Sequence, residues 1–243
     1  MNLGNFKKEK IKDPQINNKP TIILMTRWHA INRCKSRLSK EIGALKAAKV
    51  QEKLTLHTIA VAKQIQKEGL AEIKIAIDGI GMNAATRWAK INKIEKVSTQ
   101  GAGSLGTKMK RQFSKTLIEK TISKQIPNSI LLIGTDLPSI SRLDLTQALE
   151  ILNYKEMVLG PSIDGGYWLI GLSKKLLKNV SIWPFSGIEW GTDKVLKETI
   201  RLASLNKIDY QLLQKKNDLD NIIDLSPWLN YKNFQLSVLS YQL

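Results

Sequence analysis

Seven short apolar runs, separated by stretches with helical periodicity, constrain the fold of this chain more than any other feature. Each run has strand length and is rich in branched or aromatic side chains, which favour a pleated strand. The runs are residues 21–25, 72–78, 94–98, 129–134, 156–160, 166–172 and 208–213. Alternation of strands and helices predicts an α/β fold with a mostly parallel sheet, helices on both faces and ligands at the carboxyl ends of the strands.

The intervening stretches carry helix signals. Ser104 and Ser141 each stand where a helix N-cap is expected, and Asp144 follows Ser141 at the N3 position that favours an acid. Runs 156–160 and 166–172 are close together, so we expect them to form an added antiparallel or mixed element of the sheet. One stretch places four apolar residues on a single helical stripe and predicts a helix that covers the sheet: Val50, Leu54, Val61 and Ile65.

Length and composition predict a globular protein of one large or two small domains. The 243 residues include 42% hydrophobic side chains, which is enough to bury a sizeable core. Residues 1–19 are rich in lysine and asparagine and lack a continuous apolar run, so we expect a disordered lead-in. We expect residues 20–230 to form a single domain and residues 231–243 a tail.

Cysteine and histidine content excludes two classes of small stabilised domain. The single cysteine, Cys34, leaves no disulfide framework within the chain, and the two histidines lie far apart in sequence, unlike the ligands of a structural zinc. The apolar runs are too short to span a bilayer. We therefore expect a cytoplasmic protein with no membrane span.

A formal charge of +17 raises the question of a polyanionic partner. The lysines are spread over nearly every expected helix, and the chain contains no nucleic-acid-binding motif. We interpret the charge as a solvated basic surface that attracts anionic small molecules, and expect no specific nucleic acid partner.

Asp136 follows the predicted strand SILLIG directly at its carboxyl end. Gly134 removes side-chain bulk there, and Pro138 keeps the preceding residue extended and prevents the ladder from continuing. A carboxylate at this position suits Mg²⁺ or Mn²⁺, hard cations that neutralise a diphosphate. The alternative is that Asp136 caps a turn.

Two loops at other strand ends have the chemistry of phosphate binding. Arg27, Arg33, Lys35 and Arg37 follow the first strand, where cations and free backbone donors can together hold phosphate oxygens. An exposed basic loop is the alternative. After the third strand, the glycine-rich turn containing Gly101 and Gly103 permits close approach of a ligand to the backbone.

A third segment, GPSIDGGYWLIGL, places an acid before a glycine pair and two aromatic residues. Gly165 and Gly166 permit a tight turn that would bring Asp164 toward Asp136, although the same residues suit an ordinary hairpin. Tyr167 and Trp168 face opposite ways in a strand, so one is expected in the core while the other stacks on a base or sugar. Trp190 lies just before a further predicted helix start and is a second candidate for ligand contact.

Five segments occur in an order that resembles a bacterial family of glycosyltransferases first grouped as domain of unknown function 2064: RWHAINRCKSRL, QGAGSLGTKM, LLIGTDLP, LGPSIDGGYWLIGL and IEWGTDKVL. The resemblance extends over residues 21–225, and the combination of the GTDLP and PSIDGGYWLIGL segments is its most specific part. It implies the GT-A, or nucleotide-diphospho-sugar transferase, fold: a three-layer α/β/α sandwich with a mostly parallel mixed sheet.

The resemblance also implies roles for individual residues. It places Asp136 at a metal, Asp164 at the reaction centre, and four residues on the nucleotide side of the site: Arg27, Lys35, Arg37 and Gln100. The ending NDLDNIIDL is similar to the family pattern D-x-D-T-x-x-D-L. Asp218 or Asp220 would then either approach the metal or cap a helix.

These expectations combine into a metal-assisted glycosyltransferase that moves a sugar from a nucleotide-diphosphate-sugar donor to a small-molecule acceptor. Asp164 would orient or deprotonate the acceptor hydroxyl, or act as a second metal ligand. A nucleotidyltransferase is one alternative, because NRCKSRLS resembles the A-K-S-R-L loop of enzymes that join a nucleoside triphosphate to a phosphorylated substrate. A nucleotide- or nucleic-acid-binding protein without catalysis is the other.

Overall fold

A single mixed sheet organises the part of the chain that the computed structural model describes, residues 18–124 and 126–229. Its strands are β1 Thr21–Arg27, β2 Glu72–Asp78, β3 Lys96–Thr99, β4 Ser129–Gly134, β5 Met157–Pro161, β6 Tyr167–Ser173 and β7 Tyr210–Leu212. Every predicted run therefore overlaps a strand. Of the predicted lead-in 1–19, residues 1–17 lie outside the described residues, as does the whole of the predicted tail.

The strands lie in the order β3-β2-β1-β4-β6-β5-β7. β6 pairs antiparallel with both of its neighbours, whereas every other pairing is parallel. The close spacing of β5 and β6 leaves no room for a crossover helix, which parallel neighbours require, so they form an antiparallel hairpin as expected. The mostly parallel mixed sheet is confirmed.

The helices alternate with the strands along the chain. They are α1 Ser36–Ile42, α2 Ala44–Lys67, α3 Met82–Ile91, α4 Leu105–Ile122, α5 Arg142–Ile151, α6 Lys174–Leu177, α7 Val195–Leu205 and α8 Ile222–Leu229. Ser141 caps α5 in a capping box with Asp144, and Ser104 caps α4, both as predicted. These caps satisfy backbone donors that a helix start leaves free.

Each face of the sheet is covered by helices, which gives the predicted three-layer sandwich. Alternate residues of β1 serve opposite cores: Ile22 belongs to one buried cluster and Ile23 to the other. Residues of α2, α3 and α5 complete the first cluster, and residues of α4, α6 and α7 complete the second. In the described part of the chain, no helix is long and apolar enough to cross a membrane.

Candidate active site

The carboxyl ends of β1, β2, β3, β4, β5 and β7 lie at one edge of the sheet, together with the amino end of β6. The last residues of β1 and β2, Arg27 and Asp78, are partners in register. β4 ends at Gly134, so Asp136 leaves the sheet at this same edge. Ligands of open α/β sheets bind at such an edge, where strand order changes direction.

A buried lysine connects the first loop to Asp136. The Nζ of Lys35 lies 2.6 Å from Asp136 Oδ1 and 3.2 Å from Asp220 Oδ1, and it donates a 2.6 Å hydrogen bond to the Leu219 carbonyl. Burial alone would lower the pKa of Lys35, but the charges of Asp136 and Asp220 raise it above its usual value. Lys35 is therefore a fixed ammonium between two carboxylates.

The backbone of Lys35 has an uncommon conformation for a residue with a side chain. Its φ of 47° and ψ of 51° lie in the left-handed region, immediately before α1. Such a conformation is unfavourable and persists where surrounding contacts hold it. The three contacts of the Lys35 ammonium provide that hold, so the turn into α1 and the position of Asp136 depend on each other.

Residues 215–225 cross the carboxyl edge and bring two further acids to the site. Lys216 N donates to the Pro161 carbonyl and Leu219 N to the Asp136 carbonyl, each at 3.0 Å. Leu219 is fully buried in a small cluster with Leu38 of α1 and Leu54 of α2. The segment is thus attached at Lys216 and Leu219, with Asp218 between these two attachments and Asp220 directly after the second.

Asp218 lies in an acidic environment. Burial raises its pKa to about 7, and the neighbouring charges of Asp136, Asp164 and Asp220 add to this effect while Lys35 opposes it. Helix capping in this segment is carried out by Asp224, whose Oδ2 accepts the N–H groups of Asp220 and Asn221. Asp218 and Asp220 therefore face the site. The sequence alone did not decide between this position and helix capping.

Asp164 is held on the turn between β5 and β6. Its Oδ1 accepts hydrogen bonds from the Ser162 hydroxyl and, at 3.0 Å, from Gly166 N. Gly165 has a φ of +87°, and a Cβ on it would lie 2.1 Å from the Asp193 carbonyl oxygen, so glycine is needed for this turn to pack against the start of α7. The turn presents an exposed carboxylate on the Asp218 side of the edge.

A second group of charges surrounds Asp78. Its Oδ2 lies 2.9 Å from Lys108 Nζ and 3.9 Å from Arg27 Nε. Arg37, in turn, lies 3.5 Å from Asp220. The predicted cations Arg27, Lys35 and Arg37 are therefore all at the edge, each beside an acid.

The loop after the first strand is fixed by aromatic packing. The backbone N–H of Trp28 donates to the Asp78 carbonyl at 2.8 Å, and the ring of Trp28 meets Trp88 edge to face with centroids 5.8 Å apart. His29 lies against Trp28, with ring centroids 4.2 Å apart. These contacts hold the beginning of the loop over the end of β2, while Lys35 holds its end.

Gln100 has a structural position behind the glycine turn. It is 6% exposed, and its side-chain amide donates to the carbonyls of Thr26 and Ala76 at 2.9 Å each. Arg111 donates to the carbonyls of Gln100 and Ala102, which fixes the turn that contains Gly101 and Gly103. The Gln100 amide thus joins β1 and β2 behind this turn.

Two aromatic candidates lie apart from the acids. Tyr167 packs against one core and Trp168 belongs to the other, as their alternation in a strand requires. Burial raises the pKa of the Tyr167 hydroxyl, which lies beside Thr199 of α7. Trp190 meets Tyr167 edge to face, with ring centroids 6.5 Å apart, and lies on the first turn of α4.

The acids suit a divalent cation that shares its coordination with a substrate. Among residues 18–124 and 126–229, no three His, Cys, Asp or Glu side chains are grouped as a ready-made metal site. Mg²⁺ commonly binds through one or two carboxylates and takes its remaining ligands from substrate phosphates and water. Asp136, whose side chain is 46% exposed, and Asp218, which faces it, provide such a pair.

Four site residues were not singled out firmly by the sequence. Asp78 and Lys108 occupy the edge although neither was a candidate, and Asp218 and Asp220 were candidates only through the family ending. The sequence did carry a signal for Asp78, because this acid is the last residue of a predicted strand. Asp136 lies in a similar position, two residues after the end of another predicted strand. Lys108 lacks such a signal because its role depends on the packing of α4 beside β2.

The chain resembles known structures of one fold. It aligns over 92% of its length with 90% of a candidate nucleotide-diphospho-sugar transferase from Desulfovibrio desulfuricans G20, at 21% identity and a TM-score of 0.72. The 4-diphosphocytidyl-2C-methyl-D-erythritol synthase of Anaerococcus prevotii gives a TM-score of 0.55 at 10% identity, with 88% of this chain and 100% of that chain covered. Manganese-bound Rv0371c of Mycobacterium tuberculosis gives 0.50 at 16% identity, with 88% and 99% covered.

At these identities the likeness establishes the fold, which is shared by transferases that use nucleotides. No curated protein matches the sequence. Residues 59–192, more than half of the chain, match the model of a family described as uncharacterized protein conserved in bacteria. The matched range contains the glycine turn, Asp136 and Asp164. The chain therefore belongs to the bacterial family DUF2064 and has the α/β fold of nucleotide-diphospho-sugar transferases.

Proposed function

We propose that this protein is a glycosyltransferase that moves a sugar from a nucleotide-diphosphate-sugar donor to a small-molecule acceptor. The observation that carries the proposal is the convergence of Asp136, Asp164, Asp218 and Asp220 with the Lys35 ammonium at the carboxyl edge of the sheet. Two of these carboxylates contact the buried cation, and the charges of Asp136, Asp164 and Asp220 all act on Asp218, so the group favours additional positive charge. A divalent cation carried by a diphosphate would supply that charge.

Asp136 and Asp218 would hold the metal, which is Mg²⁺ or Mn²⁺. When bound there, the cation would neutralise charge that grows on the departing nucleoside diphosphate. Arg27 and Arg37, whose side chains are 61% and 71% exposed, are free to turn toward phosphate oxygens. Manganese in a solved structure of the same fold supports this choice of cation.

The remaining side chains divide the work between donor and acceptor. The Gly101 and Gly103 turn, held by Arg111, lies beside the first loop and offers backbone groups to the nucleotide. Asp164, whose charge acts on Asp218, is held on the turn made by Gly165 and Gly166. We assign to Asp164 the orientation and deprotonation of the acceptor hydroxyl.

Nucleotidyl transfer is the second candidate. It is supported by the position of Lys35 in the CKSRLS segment at the start of α1 and by the 4-diphosphocytidyl-2C-methyl-D-erythritol synthase of the same fold. The two reactions differ in the group released. A glycosyltransferase releases a nucleoside diphosphate from a sugar nucleotide, whereas a nucleotidyltransferase releases pyrophosphate from a triphosphate.

The test is a thermal-shift screen of sugar nucleotides and nucleoside triphosphates with and without Mn²⁺, followed by product analysis. We expect metal-dependent stabilisation by a sugar nucleotide, and loss of that stabilisation in Asp136→Asn. Asp209→Asn is the matched control, because Asp209 forms its ion pair with Lys155 next to the amino ends of β5 and β7. Pyrophosphate release would establish the second candidate instead.

Stabilisation that needs no metal and persists in Asp136→Asn would contradict both the glycosyltransferase and the nucleotidyltransferase. It would leave a nucleotide-binding protein whose site does not use this carboxylate. Binding that weakens steeply with salt in the same variant would point to nucleic acid as the ligand.

A further inference from the structure

A polar cleft of about 660 Å³ lies on α4, outside the group of acids. One wall is a stripe along the first three turns of α4, and the other is formed by residues 185–188 and Trp190, in the segment that leads to α7. The polar part of its lining includes Ser104, Thr107, Lys110, Ser114, Ser186 and Trp190. We refer to this space as the α4 cleft.

The α4 cleft is distinct from the side of α4 that faces the first loop. Lys108, two residues before Lys110, leaves the helix in a different direction and pairs with Asp78 next to Arg27. Lys108 is not part of the cleft lining. A diphosphate held by the first loop would therefore leave the cleft free for another molecule.

The cleft adjoins the turn that carries Asp164. Trp190 lines the cleft and meets Tyr167, the first residue of β6, with ring centroids 6.5 Å apart. Three residues further on, the Asp193 carbonyl packs against Gly165. A molecule in the cleft is thus separated from the Asp164 turn by this single packed segment.

The indole of Trp190 forms one wall of the cleft and is held there by packing against α4. A Cβ on Gly106 would lie 2.2 Å from the indole, so only glycine at this position lets the ring lie directly on the first turn of α4. A half-buried indole that lines a polar cleft favours the C–H face of a sugar or polyol.

The charge of the cleft is positive. None of the described residues that line it is acidic, whereas Lys110 and Arg111 are both cationic. Lys110 forms no ion pair with a described residue, and Arg111 donates only to the neutral carbonyls of Gln100 and Ala102. Two charges without acidic partners beside several hydroxyls match an anionic, hydroxylated ligand.

We propose that the α4 cleft binds the acceptor and that the acceptor is an anionic polyol, with its phosphate or carboxylate group at Lys110 and its carbon skeleton against Trp190. The identification of this ligand as the acceptor rests on the proposed function. The binding site itself is defined by the cleft alone, so it can be tested without turnover.

The test uses fluorine NMR of protein that carries 5-fluorotryptophan, with the Trp190 resonance assigned through Trp190→Phe. Three probes share a three-carbon skeleton: glycerol 3-phosphate, glycerate and glycerol. We expect the two anions to shift the Trp190 resonance and glycerol to leave it unchanged. The anion that binds with the higher affinity identifies phosphate or carboxylate as the preferred group.

Lys110→Gln should weaken the effective anion about tenfold, since one charge-assisted contact is lost. Lys115→Gln is the matched control, because Lys115 is an exposed cation of the same helix outside the cleft lining. The shift should persist when a nucleoside diphosphate and Mn²⁺ are added.

Absence of any shift, an equal response to glycerol, or an unchanged affinity in Lys110→Gln would overturn the proposal. Loss of the shift on addition of nucleoside diphosphate would also overturn it, because the anion would then occupy the nucleotide site. Failure of the proposed function is recognised separately: sugar nucleotides would give no metal-dependent thermal shift in the same samples, while the anion response remained.

Discussion

The Nζ of Lys35 and the Oδ1 of Asp136 lie 2.6 Å apart and join the first loop to the end of the central strand β4. Only 3% of the Lys35 side chain is exposed, whereas 46% of Asp136 is. The ammonium is therefore buried and held in place, while the carboxylate remains accessible to ligands. Because Lys35 also contacts Asp220, one cation sets the positions of two acids that belong to distant parts of the chain.

Lys35→Met should destabilise the protein and loosen the site. The variant leaves Asp136 and Asp220 without their shared cation and removes the contacts that hold the left-handed turn. Because both acids are partly exposed and can turn to water, we expect a loss of about 2 kcal/mol in the free energy of unfolding. Urea denaturation at neutral pH measures it.

Arg37→Met provides the comparison for Lys35→Met. Arg37 is also paired with Asp220, but 71% of its side chain is exposed. Its removal should change the free energy of unfolding by less than about 0.5 kcal/mol. Equal losses in the two variants would show that burial of Lys35 does not matter.

Asp218 should make the metal-free protein less stable as the pH rises. Its pKa is about 7 in the folded protein against 3.8 for the free side chain. Between these values the folded state holds a proton that the unfolded state has released, so the free energy of unfolding falls with increasing pH. Above pH 7 both states are ionised, and the full destabilisation is present.

Asp218→Asn should remove this dependence. Near pH 4 the variant and the parent protein should have similar free energies of unfolding, and above pH 7 the variant should be more stable by up to about 4 kcal/mol. Urea denaturation in a chelator over this range gives the difference curve. A difference that stays constant with pH would contradict the assigned environment of Asp218.

The architecture could be predicted because its signals are local. Each strand is a short apolar run, and the start of α5 carries a complete capping box at Ser141 and Asp144. Asp136 could be predicted because a strand and a proline bracket it. Signals of this kind depend on neighbours in sequence, which the chain displays directly.

The site was predicted only in part, because its completion depends on long-range packing. Asp218 and Asp220 reach Lys35 only when residues 215–225 cross the edge and Leu219 is buried between α1 and α2. The two carbonyls that bind the Gln100 amide could not be predicted either, because they belong to β1 and β2, far from Gln100 along the chain.

A buried ion pair at the amino half of the sheet should contribute little to stability. Lys74 is 1% exposed and pairs with Glu119, its Nζ lying 2.6 Å from Oε2. Burial lowers the pKa of Lys74, and Glu119 only partly compensates. Lys74→Met, which keeps the volume apolar, should therefore change the free energy of unfolding by less than about 1 kcal/mol or increase it.

Glu119→Gln should be worse than Lys74→Met, because it leaves the buried ammonium without its acid. We expect a loss of about 1 to 2 kcal/mol, with the exposed half of Glu119 limiting the effect. The double variant should match Lys74→Met alone. Additive losses in this cycle, measured by urea denaturation, would show that the two residues act independently.

Gly165→Ala should cost more than Gly43→Ala, although both glycines have a positive φ. Their φ values are +87° and +86°, which side-chain-bearing residues rarely adopt, so each alanine bears a backbone penalty of about 1 to 3 kcal/mol. A Cβ at Gly43 meets nothing within 4 Å, whereas one at Gly165 would lie 2.1 Å from the Asp193 carbonyl oxygen. That clash forces the Asp164 turn away from α7 and adds about 1 to 3 kcal/mol.

Urea denaturation of both variants separates the two contributions, and the proposed reaction gives a second readout. Displacement of the turn moves Asp164 from the acceptor, so Gly165→Ala should also reduce kcat, while Gly43→Ala should leave it unchanged. Equal stabilities would mean that the turn yields to the added methyl group without cost. The N–H groups of Gly165 and Gly166 have their acceptors within the turn, so a turn that moves as a unit would keep both hydrogen bonds. It would lose the hydrogen bond from Leu196 N to the Gly165 carbonyl. Faster amide exchange at Leu196 would then reveal the movement.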